Sequence, residues 1–68
     1  MSTQPKFIIY VTGQEHFDTT LSVCETFNMQ IQTYVCGNKR GILFFKEEDF
    51  LITLGWVNNR FNVRYYCF

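Results

Sequence analysis

An α+β domain with the element order βαββαβ is what the 68 residues predict, and three observations predict it. Apolar residues recur with an extended period in "KFIIYVTG" (6–13), "MQIQTYVC" (29–36) and "FNVRYYCF" (61–68). From Phe17 the spacing becomes helical, and "GNKR" (37–40) separates two neighbouring extended runs in the manner of a hairpin turn. The chain is 47% hydrophobic; at this length it buries only about 60% of its unfolded surface, so residues 1–68 form a single small domain. Eight Phe, four Tyr and one Trp supply the core, since each ring can bury roughly 150–250 Å².

A polar leader, Met1 to Gln4, precedes Pro5, which can open a strand. Phe7, Ile9 and Val11 then share one face, Ile8, Tyr10 and Thr12 the other, and Gly13 ends the run. The spacing of Phe17, Thr20, Leu21, Cys24 and Phe27 predicts a helical stripe, with Asp18 placed to cap the first turn and Asn28 to terminate the helix. In the next strand Ile31, Thr33 and Val35 alternate with Gln32 and Tyr34. "GILFF" follows the turn as its hairpin partner, with Leu43 and Phe45 opposing Ile42 and Phe44.

The stretch "KEEDFLITLGWVNN" (46–59) reads two ways. Acidic residues at its front suit a helix dipole, and Phe50, Leu51, Leu54 and Val57 form an apolar stripe. Ile, Thr, Gly and Trp inside it favour a strand, giving one helix plus a β-meander as the alternative fold. We prefer the helix. In the last strand Val63, Tyr65 and Cys67 alternate with Asn62, Arg64, Tyr66 and Phe68. The resulting order folds as a four-stranded antiparallel sheet with two helices on one face, the ferredoxin-like arrangement.

Two helices cover one face of such a sheet, so residues out of phase with the core line the other. Taken strand by strand, that set is Ile8 and Tyr10, Gln32 and Tyr34, Ile42 and Phe44, Arg64 and Tyr66. Rings flat on a sheet stack unpaired bases at about 1–3 kcal/mol each. This is a reason for a tyrosine in the middle of "KFIIYVTG", where an aliphatic would serve a buried strand as well.

"IYVTG" (9–13) resembles the first-strand signature of the RNA recognition motif family. "RGILFFKE" (40–47) is similar to the start of its third-strand signature, matching at Arg40, Gly41 and Phe44; Ile42, Leu43, Phe45 and Glu47 depart from it. "EEDF" and "WVNNRF" resemble the family's second helix and the loop to its last strand. The resemblance implies single-stranded RNA, or DNA, as ligand. Tyr10 and Phe44 would stack bases, Arg40 would reach a phosphate, and Tyr34, Tyr66, Lys39 and Arg64 would complete the surface.

Six Lys plus Arg balance six Asp plus Glu. A net charge of zero removes long-range attraction to nucleic acid, so any anion-binding surface must be local. The same rings equally suit a host protein as partner, in a phage or mobile-element module that inhibits a host machine, such as an anti-CRISPR or other anti-defence protein. Two edge strands on so small a sheet also allow a homodimer. Cys24, Cys36 and Cys67 show no C-x-x-C spacing, which points to a reducing, cytoplasmic setting and to no thiolate metal site. Cys24 and Cys67 fall on core phases, and Cys36 lies beside the hairpin. His16 has no ligand or acid–base partner at a recurring spacing and reads as a surface or capping residue. No apolar run is long enough to span a membrane. The expectation is a binding protein, not an enzyme, with no cofactor.

Overall fold

A computed structural model describes residues 4–68; Met1, Ser2 and Thr3 of the polar leader lie outside them. The elements are β1 (Phe7–Val11), α1 (Gln14–Thr26), β2 (Ile31–Cys36), β3 (Lys39–Phe44), α2 (Glu47–Val57) and β4 (Arg64–Cys67). The strands form one antiparallel sheet in the order β2-β3-β1-β4, with the helices packed over β1 and β3. This is the expected ferredoxin-like fold, and the meander alternative is excluded because 47–57 is helical.

Local chemistry explains most boundaries. Gly13, at φ 86°, turns the chain out of β1 and directly into α1, three residues before Phe17. Asp18 therefore sits inside the helix and accepts a hydrogen bond from Gln14 Nε2 at 2.9 Å; it does not cap. The other end is built as expected. Asn28 takes φ 52°, and the amides of Asn28 and Met29 donate to the carbonyls of Glu25 and Cys24, which satisfies the last turn. In α2 no side chain caps the start, but Glu47, Glu48 and Asp49 face the positive end of the dipole. That electrostatic preference is absent from a strand, and it accounts for the helical outcome in an otherwise ambiguous stretch.

The core lies between the helices and one face of the sheet, built on Ile9, Val11, Phe17, Cys24, Ile42, Phe44 and Phe50. Phe50 is its hub: the ring stacks on Phe7 at 4.7 Å and meets Phe44 and Tyr65 at 6.0 and 5.9 Å. Thr20 and Thr53 are fully buried and satisfied. Thr20 Oγ1 donates to the His16 carbonyl at 2.8 Å, and Thr53 Oγ1 donates to Met29 Sδ at 3.1 Å while lying 3.8 Å from Cys24 Sγ. Burial pushes the Cys24 thiol above its usual range, and the Thr53 hydroxyl opposes that shift.

The helical stripes differ from expectation in detail. Val23 joins the core of α1 while Phe27 is exposed past the helix end, and in α2 Thr53 takes the inward position expected of Leu51. Leu51 is off the line Phe50, Thr53, Val57, whose spacing of three and four residues tracks the buried side of the helix. Cys67 is exposed and not a core filler; it lies near the end of β4, an edge strand on which α2 reaches Tyr65 through Phe50. His16 is half-buried in the first turn of α1 with its ring stacked on Phe61 at 4.0 Å, and its Nδ1 has no hydrogen-bond partner.

Ile42→Ala is expected to cost about 2–5 kcal/mol in urea unfolding, as a fully buried aliphatic does, whereas Leu51→Ala stays within about 0.5 kcal/mol, as an exposed surface substitution does. Comparable losses at both positions would contradict the assignment of the two faces.

Candidate nucleic-acid interface

Cross-strand partners point to the same side of a sheet, so the registers define the uncovered face. One row across it is Gln32, Leu43, Ile8 and Tyr66; the next is Tyr34, Gly41, Tyr10 and Arg64; Cys36 and Lys39 begin a third. Tyr10, Tyr34, Tyr66 and Arg64 thus stand where the alternation placed them, and Lys39, read as part of the turn, joins them from the start of β3. Two expected residues do not. Phe44 pairs with Phe7 and Ile31, Ile42 pairs with Ile9 and Thr33, and both lie fully buried under the helices. The third-strand positions assigned to stacking by resemblance therefore face inward, and Leu43 and Gly41 face outward.

Arg40 shares the parity of Val11 and Val35, on the helix side. Its Nε donates to Gln14 Oε1 at 3.1 Å, so the guanidinium is held by the first turn of α1 at the rim of the face.

Gly41 explains how three tyrosines come together. It is the cross-strand neighbour of both Tyr10 and Tyr34, and its missing side chain leaves a gap over which they close. The Tyr10 and Tyr34 ring centres are 6.4 Å apart at 82°, and those of Tyr10 and Tyr66 are 5.7 Å apart at 73°. Both are edge-to-face pairs, worth about 0.5–1.5 kcal/mol each beyond burial. A methyl added to Gly41 would meet Ile8 Cδ1 at 3.2 Å, which shows how closely Ile8 approaches this gap. Ile8 is consequently only 3% exposed although it belongs to the uncovered face. The neighbouring Cys36 thiol raises the Tyr34 phenol above its usual range.

Beside Tyr10 the sheet surface forms a groove of about 500 Å³ lined by Tyr10, Val11, Thr12, Asn38, Lys39, Arg40, Arg64 and Tyr66. Asn38 joins the lining because the hairpin turns on Gly37 and Asn38 alone, with Lys39 and Arg40 already in β3.

The groove's electrostatics depend on a segregation that net charge conceals. Glu15, Asp18 and Glu25 belong to α1, and Glu47, Glu48 and Asp49 to α2, which accounts for all six carboxylates. Lys6, Lys39, Arg40, Lys46, Arg60 and Arg64 all lie outside the two helices. Among the described residues the strands therefore carry cations and no carboxylate side chain. This signal was present in the sequence in part, since five of the six acidic residues fall in stretches with a helical reading; Glu15 lies just before the first of them.

Among the described residues no group of three or more His, Cys, Asp or Glu side chains could hold a metal ion, and no helix is long and apolar enough to cross a membrane. Compared with protein-family models, curated proteins and solved structures, the chain matches none.

Gly41→Val should lower stability by about 1–3 kcal/mol through overpacking between Ile8 and the tyrosines, with a changed tyrosine signal in near-UV circular dichroism. An unchanged spectrum and unfolding curve would show that Gly41 is not what lets the rings converge.

Proposed function

We propose that the protein binds single-stranded nucleic acid, RNA foremost, on the uncovered face of its sheet. The observation that carries this reading is the groove over Tyr10, flanked by Lys39 and Arg64 on a surface without carboxylates. A base stacks on the Tyr10 ring, with Tyr34 and Tyr66 as edge-on neighbours, and the adjacent phosphates lie toward Lys39 and Arg64. Base stacking needs no net positive charge, and local cations suffice for the phosphates at short range. The likeness of "IYVTG" to the RNA recognition motif family adds support at Tyr10; Phe44 is no part of the surface. The reading is of a binding protein with no chemical step, and three unpaired thiols suit a reducing, cytoplasmic setting.

A second reading, a module that inhibits a host protein, is favoured by a separate observation. Phe27 and Trp56 stand exposed beside a groove between the acidic helices, and Arg60 lies 3.6 Å from the Trp56 ring. Ordered aromatic side chains of this kind anchor protein interfaces.

The two readings separate by mutation. Titrating a fluorescent mixed-sequence RNA oligonucleotide, Tyr10→Ala should cost about 1–3 kcal/mol of binding. Lys39→Ala and Arg64→Ala should each reduce the slope of log affinity against log salt by about 0.7, while Trp56→Ala leaves both quantities unchanged. Absence of saturable binding, or indifference to Tyr10→Ala, would overturn the nucleic-acid reading.

A further inference from the structure

The two edges of the sheet are not alike. β4 is four residues long and includes Arg64, a charged residue of the kind that discourages pairing between copies. β2 has six residues, Ile31–Cys36, without a charge, a proline or a glycine, and everything from Gln32 to Cys36 is exposed. The helices sit over β1 and β3; on β2 only Ile31 packs against the core, and the strand from Gln32 onward is left bare. Val35, on the helix side of this edge, is 59% exposed. None of the usual devices that blunt an edge strand is present here.

The hairpin determines what this edge offers. Gly37 alone of the two turn residues has positive φ, at 61°, which is the two-residue turn with glycine first. Such a turn closes on a hydrogen-bonded pair, here Cys36 with Lys39, so Cys36, Tyr34 and Gln32 spend their backbone groups on β3. The amides and carbonyls of Ile31, Thr33 and Val35 therefore point outward.

We propose that two copies of the chain associate through β2, antiparallel, about a dyad that passes beside Thr33 normal to the sheet. This register uses every outward backbone group of Ile31, Thr33 and Val35. It sets Thr33 opposite Thr33 of the second copy and Ile31 opposite Val35, an apolar pair on the helix side of the sheet. An uncharged strand can meet its own copy without like-charge repulsion, and the dyad makes the two edges self-complementary. The product is an eight-stranded sheet with both helix layers on one side.

Both tyrosine faces then lie on the other side as one continuous surface. The row Arg64, Tyr10, Gly41, Tyr34 runs on into Gln32, Leu43, Ile8 and Tyr66 of the second copy, and the two grooves sit at diagonally opposite corners. This consequence rests on the nucleic-acid reading above; the association itself does not.

The test uses the full chain under reducing conditions, so that Cys36 and Cys67 cannot account for a dimer. Sedimentation equilibrium should give the mass of two chains for the wild type and of one chain for Val35→Lys, with an unchanged far-UV spectrum. In a Cys36→Ser, Cys67→Ser background, Thr33→Cys should form a covalent dimer on oxidation, because hydrogen-bonded antiparallel partners have Cα atoms about 5.5 Å apart, within disulfide reach. A single-chain mass for the wild type, a Val35→Lys variant that remains a dimer, or a Thr33→Cys variant that fails to cross-link would each overturn the proposal. None of these measurements contains nucleic acid, so a failure here is distinct from a failure of oligonucleotide binding.

Discussion

The pairing of β1 with β3 is the constraint on which the rest of the structure depends. Ile9 opposite Ile42 and Phe7 opposite Phe44 give the sheet the apolar surface that α1 and α2 cover, and Phe50 rests directly on the two phenylalanines. Because side chains alternate with a period of two, a slip of one residue in β3 would bring Gly41 and Leu43 into the core and expel Phe44. The loss of two fully buried side chains is large against a total stability of about 5–15 kcal/mol. The register that fills the core also sets Gly41 beside Tyr10 on the opposite face. Core and candidate interface are two sides of one pairing.

Electrostatics follows from the same layering. Each helix carries three carboxylates, and the cations lie on strands and connections. Screening lengths at physiological salt are about 8 Å, comparable with the thickness of one layer, so a ligand at the sheet responds mainly to the charges beside it. A net charge of zero is compatible with an anion-binding face on one side and an acidic, partly apolar face on the other. The distribution of charge, more than its sum, bears on partner choice in a domain this thin.

The aromatic cluster also has a structural role. Tyr10, Tyr34 and Tyr66 support one another edge to face over a bare glycine, which holds the rings in place before any ligand arrives. Pre-ordering of this kind lowers the entropic cost of binding. At β2, by contrast, the cost falls on the exposed backbone, which is satisfied by water or by another strand. A short chain with its helices centred on the two inner strands leaves such an edge uncovered.

The residues alone determined the extended period of β1, β2 and β4, the break at Gly13, the αL terminus at Asn28 and the hairpin, because each follows from local backbone preference; the helix at 47–57, and with it the order of elements, was one of two readings until the structure decided it. They also placed Tyr10, Tyr34, Tyr66 and Arg64 on one face, since polar or basic neighbours in β1, β2 and β4 mark the alternation. They did not determine the phase of β3. "ILFF" is apolar at every position, and which half faces inward is a relation between strands far apart in sequence that only the tertiary register decides. Phe44 and Ile42 went under the helices for that reason, Leu51 and Cys67 stayed outside because helix rotation and edge coverage are set by packing, and Arg40 turned to Gln14 because α1 begins next to the start of β3.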